Sequence, residues 1–162
     1  MNLFDWTLKI RGYDIAFAKA RLSKIQSIPD VDYAEYIAQK KAAIVAYHQK
    51  NTPFYNDFLQ NVSLSDWNNI PILTKADLQQ PLEKRISKEY RKKSYYTGKT
   101  SGSSGHPFVF AKDKETHALT WAVIQNRFGW YDIDFNRSLQ ARFYGIPLDP
   151  LNYQKELSLI HI

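Results

Sequence analysis

The sequence predicts an α/β fold in which a helical N-terminal part is followed by strand, loop, strand, helix and strand. Three observations carry this reading. Apolar residues recur at helical spacing between Phe4 and Gln49, and a glycine- and serine-rich stretch from Gly98 to Pro107 lies between two aromatic runs. A third apolar and aromatic run, Ser138 to Tyr144, follows another helical pattern.

The first helical pattern runs from Phe4 to about Ile25, with Leu8, Ile15, Leu22 and Ile25 among lysines and arginines, and Gly12 is the place where it is interrupted. Ser27-Ile28-Pro29-Asp30 ends it. A second helix, capped by Asp30 or Asp32, is expected to reach Gln49, with Tyr33, Ile37, Ala38, Lys41, Ile44, Val45 and His48 along one side. Asn51-Thr52-Pro53 stops it, and Phe54-Tyr55 with Phe58-Leu59 predicts a brief docked helix. In Ile70 to Leu78 an extended proline-containing stretch meets Thr74, an N-cap three residues before Asp77, so a short helix to about Leu82 is expected.

Lys84, Arg85, Lys88, Arg91, Lys92 and Lys93 form the densest positive run, read first as a solvated helix face. Ser94 to Thr97 and Phe108 to Ala111 read as strands on either side of the loop. Asp113 caps a helix whose apolar side passes through Ala118, Leu119, Ala122, Val123 and Trp130.

The loop Thr97 to Pro107 places three glycines among four or five hydroxyl side chains. Glycine tolerates positive φ and lets a ligand approach the main chain, so successive N–H groups can converge on an anion, and the hydroxyls add donors. A phosphate chain suits such a set. Gly98-Lys99-Thr100 imitates the end of a Walker A motif, but that motif requires glycine at position 93, where Lys93 stands. A flexible linker and a ligand-free hairpin loop are the remaining readings; flanking aromatic strands and Pro107 count against the first, and the number of hydroxyls against the second.

Thr100-Ser101-Gly102-Ser103-Ser104-Gly105-His106-Pro107 resembles the phosphate-gripping signature of the acyl-adenylate-forming superfamily, in which serine or threonine alternates with glycine before a proline. Much of that superfamily has lysine after the proline. Phe108 stands there instead, as an apolar residue does in the phenylacetate–CoA ligase and CapK branch. Ile70 to Leu78 and Thr52 to Tyr55 are similar to segments of the same branch, and the resemblance spans about Tyr33 to Gly145.

What the resemblance implies is the N-terminal portion of an AMP-binding large domain, covering 1–156, with Thr100, Ser101, Gly102, Ser103, Ser104 and Gly105 holding the phosphates of ATP. It also implies activation of a small carboxylic acid as an acyl adenylate, Mg2+ on the phosphates, and transfer to a thiol such as coenzyme A. Later family motifs, which supply a magnesium ligand, a ribose-binding aspartate and a catalytic lysine, have no counterpart here. The chain is therefore read as a fragment that does not form acyl adenylate alone, and no catalytic residue is assigned. Leu157 to Ile162 is either the start of a strand or a non-native tail.

Composition narrows the classes further. In 162 residues, 44% are hydrophobic and 23% charged, which suits one domain or part of one rather than a disordered chain. Absence of cysteine excludes a disulfide framework, a thiolate metal site and a cysteine nucleophile. Asp5, Lys9, Arg11 and Asp14 interrupt any signal-peptide core, and no apolar run reaches membrane length, so a cytoplasmic protein without a span is expected.

The net charge of +6 admits a rival reading, a nucleic-acid-binding module built on 84–96 with Tyr90, Tyr95 and Tyr96. A non-catalytic remnant is a third. His106 and His117, without a third ligand at fixed spacing, are read as surface residues rather than a metal site, and Arg127, Arg137 and Arg142 are either anion contacts or surface charges.

Overall fold

A glycine at φ +79° separates the first two helices and sets how the N-terminal part folds back on itself. In the computed structural model, which describes residues 2–64, 66–90, 94–100 and 107–139, helix α1 spans Leu3–Ile10 and α2 spans Ile15–Gln26. Gly12 lies in the turn between them, in the left-handed region that favours glycine. Asp14 then opens α2 by accepting from the Phe17 amide at 2.9 Å, which satisfies one of the donors that a helix start leaves unpaired.

Helix α3 spans Asp30–Asn51, with Pro29 rather than an aspartate at its N-cap. Asp30 and Asp32 lie instead in the first turn, where negative charge favours the helix dipole. Thr52 ends it and is wholly buried. Its amide donates to the His48 carbonyl at 2.9 Å, and its hydroxyl pairs with His48 Nδ1 at 2.8 Å. Pro53 then begins α4, Pro53–Phe58, because its fixed φ suits a first helical position that needs no N–H. No residue of α3 is fully buried, and Tyr33 and Ile44 of the expected apolar side are exposed.

Thr74 and Asp77 form a reciprocal cap: the Thr74 amide and hydroxyl donate to Asp77 Oδ2 at 2.8 and 2.6 Å. The helix expected to run on to Leu82 is only a 3-10 turn, Asp77–Gln79, because Pro81 cannot continue it and holds the residue before it extended. A four-residue helix α5, Leu82–Arg85, restarts after the proline, and a 3-10 turn follows at Lys88–Tyr90. The basic run is thus not one solvated helix face. Ile86 and Ser87 are buried in its middle, and Tyr47 Oη meets Ser87 Oγ at 2.8 Å and also donates to Glu89.

Strands β1, Tyr96–Lys99, and β2, Val109–Lys112, pair antiparallel, with Tyr96 opposite Lys112 and Lys99 opposite Val109. Helix α6, Lys114–Gly129, follows at once, capped by Asp113, which accepts from the Thr116 amide at 2.6 Å. The described residues therefore form a mostly helical fold with one two-stranded antiparallel hairpin, and the expected order of strand, loop, strand and helix is present within it. The third expected strand, Ser138 to Tyr144, lies outside the described residues beyond Leu139; Ser138 and Leu139 are not in a strand.

The core forms where α2 crosses α6. Ala18, Ala118 and Ala122 are each 1% exposed or less, and such small side chains let two helices approach closely. Leu8 and Ile15 complete this cluster, with Phe4, Tyr13, Leu22, Leu119 and Trp121 packed around it. Phe4 meets Trp121 edge-on with centroids 5.0 Å apart and Phe135 at 5.2 Å.

Asp5 ties three segments together, accepting from Lys19 Nζ at 2.7 Å and Gln125 Nε2 at 2.9 Å while its amide donates to Asn136 Oδ1 at 3.2 Å. Burial alone would raise its pKa, but these hydrogen bonds and the Lys19 charge outweigh it and hold the carboxyl below its ordinary value. Trp130, expected on the apolar side of α6, stands 69% exposed one residue past the helix end.

Candidate functional site

The hairpin presents the loop through a closed neck. Beyond the last ladder pair, the Thr100 amide donates to the Phe108 carbonyl at 2.9 Å and the Phe108 amide donates to Thr100 Oγ1 at 2.9 Å. Strand β1 thus takes in Gly98 and Lys99, which the sequence assigns to the loop, and Thr100 and Phe108 meet directly beyond the strand ends. Of the six predicted site residues, Thr100 is at this neck; Ser101, Gly102, Ser103, Ser104 and Gly105 lie outside the described residues, as does His106. Thr100 therefore has a closing role that its motif does not announce. A hydroxyl oxygen that accepts a backbone N–H can still donate its own proton.

Gly98 is required by contact rather than by φ. A Cβ on it would stand 2.5 Å from Phe110 Cζ, so the Phe110 ring lies directly across the glycine facing it on the other strand. This closeness replaces the side-chain pair that a strand normally offers.

Two supports hold the hairpin from below. Tyr96 stacks on His117 of α6 with centroids 4.2 Å apart, and Tyr13 covers the same imidazole at 4.4 Å. Trp121 Nε1 donates to His117 Nε2 at 3.2 Å, while His117 Nδ1 is buried without a hydrogen-bond partner. Accepting at Nε2 makes Nδ1 the protonated nitrogen of the neutral ring. Burial, and then the Lys112 charge, lowers the pKa of this histidine. His117 is consequently a packed residue rather than the surface residue expected, because its place on α6 turns it under β1.

The second support is Arg85. Its Nε donates to the Gln80 carbonyl at 2.9 Å, its Nη2 donates to the Val109 carbonyl at 2.7 Å, and its guanidinium lies 5.1 Å from the centre of the Phe108 ring. Burial lowers its pKa, with Tyr55 and Glu83 opposing the shift. The sequence counts Arg85 merely as one cation of the basic run. The available signal was the break at Ile86-Ser87, which no fully solvated face would contain.

The remaining candidates do not converge on the neck. Among the described residues no three histidine or acidic side chains gather as a metal site. Arg137 pairs loosely with Asp134 at 3.7 Å, Arg127 is exposed, and Arg142 lies outside the described residues. In the segment proposed for nucleic acid, Arg91, Lys92 and Lys93 lie outside them too, and one face of Tyr96 is already covered by His117. No described helix is long and apolar enough to cross a membrane. A separate open groove of about 690 Å3, bordered by Gln26, Gln125 and Asn126, shares no lining residue with the hairpin.

Comparison with protein-family models, curated proteins and solved structures finds no match for this chain. The geometry at the neck is therefore read by its own chemistry. The Thr100–Phe108 pair brings together the two ends of a segment whose sequence is rich in glycine and hydroxyl side chains, the residue types that can offer N–H and O–H donors to a polyanion.

Proposed function

We propose that this chain carries the ATP-phosphate-binding loop of an acyl-adenylate-forming enzyme of the phenylacetate–CoA ligase and CapK type. The observation that carries the reading is the loop Thr100 to Pro107, whose sequence matches the superfamily signature and whose two ends meet in a pair of hydrogen bonds at Thr100 and Phe108. In this reading a carboxylate oxygen bonds to the α-phosphorus of ATP as the bond to the β-phosphate oxygen breaks, giving an acyl adenylate and pyrophosphate. Charge grows on the departing pyrophosphate, and N–H and hydroxyl donors of the kind this loop carries would oppose it.

The described residues offer no acidic cluster for Mg2+, so any magnesium accompanying the nucleotide would rest on phosphate oxygens and on ligands from elsewhere. Transfer of the acyl group to coenzyme A or another thiol rests on the resemblance.

Equilibrium binding of ATP to the purified chain tests the reading through the loop glycines. Gly102→Val and Gly105→Val should each abolish ATP binding, since β-branched side chains oppose positive φ and occupy the space where phosphate oxygens approach the main chain. Ser101→Ala and Ser103→Ala should weaken it to an intermediate degree. Lys99→Ala should leave it largely intact. Loss on Lys99→Ala with both valine variants near wild type would return the loop to the Walker type. Salt-steep binding of single-stranded DNA, indifferent to ATP, would favour the nucleic-acid module.

A further inference from the structure

Arg85 occupies a position that neither the loop signature nor the basic run explains. It is the last residue of a four-residue helix that restarts after Pro81, and its guanidinium is held from two directions, by the Gln80 carbonyl on its own segment and by the Val109 carbonyl at the start of β2. Its flat face lies over Phe108, the residue that closes the neck with Thr100. The hairpin has only two strands among the described residues, so the outer edge of β2 has no strand neighbour there, and Arg85 supplies a donor to that edge.

The segment bearing Arg85 is itself tied down. Ile86 and Ser87, which follow it, are buried, and Tyr47 of α3 reaches Ser87 Oγ at 2.8 Å. A guanidinium fixed at its base can hold what it touches. Lysine in its place would bring a charge, but neither the planar fork for two carbonyls nor the flat surface for an aromatic ring.

We infer that Arg85 is a positioning residue for the neck of the phosphate loop, fixing the Phe108 and Val109 backbone at which the loop returns to β2. The inference rests on the function proposed above. It assigns Arg85 no contact with ATP. It works through the neck, by holding the Phe108 and Val109 backbone in one geometry.

Two measurements on the whole chain, for wild type, Arg85→Ala and Arg85→Lys, test it: ATP affinity by calorimetry and hydrogen exchange of individual amides by NMR. Loss of a charge-assisted hydrogen bond predicts an ATP affinity about tenfold or more weaker in both variants. The Thr100 and Phe108 amides, which close the neck, should exchange faster in both, while the Ala118 and Ala122 amides in α6 keep their wild-type protection. Methylguanidinium in the buffer should restore ATP affinity to Arg85→Ala and not to Arg85→Lys.

Wild-type affinity in Arg85→Lys would show that positive charge alone suffices and overturn the positioning role. Equal acceleration of the α6 amides would overturn it as well, by reducing Arg85 to a general contributor to folding. Wild-type chain that binds no ATP would overturn the proposed function, and the exchange of the Thr100 and Phe108 amides would still decide whether Arg85 sets the neck.

Discussion

Replacing Gly98 by alanine is the sharpest probe of how the hairpin is built. The added Cβ would stand 2.5, 2.9 and 3.1 Å from Cζ, Cε2 and Cε1 of Phe110, where carbon atoms prefer separations of about 3.5–4.0 Å. The ring must retreat by about 1 Å or swing away, and it cannot do so freely, because it stacks near Phe108 at 6.1 Å and lies under the Lys112 ammonium at 5.6 Å.

Overpacking of this kind costs about 1–3 kcal/mol. Stiffening the unfolded chain returns about 0.4–1 kcal/mol, so a net loss of about 1–2 kcal/mol is expected. In a Phe110→Ala background the obstacle is gone, and Gly98→Ala should become neutral or stabilising by up to about 1 kcal/mol. The double-mutant cycle should therefore give a coupling of about 1–3 kcal/mol. Urea unfolding followed by circular dichroism measures the global value. Exchange of the Thr100 amide detects a hairpin that opens before the helices do. An equal cost of Gly98→Ala in both backgrounds would refute the contact between ring and glycine.

Other outcomes follow from single features. Gly12→Ala should destabilise by about 1–2 kcal/mol, because alanine is strained at a left-handed φ. Adding Lys114→Ala should not relieve it, since the flexible Lys114 side chain 2.7 Å from the new Cβ can move aside. Asp113→Ala should cost about 1 kcal/mol in urea unfolding, through loss of the α6 cap, while Asp113→Asn should retain most of it.

The lowered pKa of His117 means that the unfolded chain binds this proton more readily than the folded chain. Its contribution to stability is thus fully present above the unfolded value, about 6.5, and is lost as pH falls below it. His117→Phe should reduce the slope of stability against pH in that range. Burial also lowers the pKa of His48, so some slope should remain. An unchanged slope in melts from pH 7.5 to 5 would sink the assignment.

Helices whose ends are written locally were legible. Gly12 marked the break between α1 and α2, Asn51-Thr52-Pro53 marked the end of α3, and Asp113 marked the cap of α6, because each acts through its own backbone or the next turn. Leu8, Ile15, Ala118 and Ala122, read from helical spacing, are all in the buried core. The paired aromatic runs around the loop were also legible, as β1 and β2, shifted by one or two residues.

The phosphate reading of the loop rests on sequence alone, on hydroxyls and glycines in that order. Tertiary structure decided which residues support the neck from which the loop springs. Arg85 looks like its neighbours Lys84 and Lys88 until the fold places the Val109 carbonyl 2.7 Å from its guanidinium. His117 looks like a surface histidine until Tyr13 and Tyr96 close over it. Gly98 looks like a loop glycine until strand pairing sets Phe110 across it. Each of these roles depends on a partner between 12 and 104 residues away in the chain, and a contact of that kind has no local period, cap or turn to announce it.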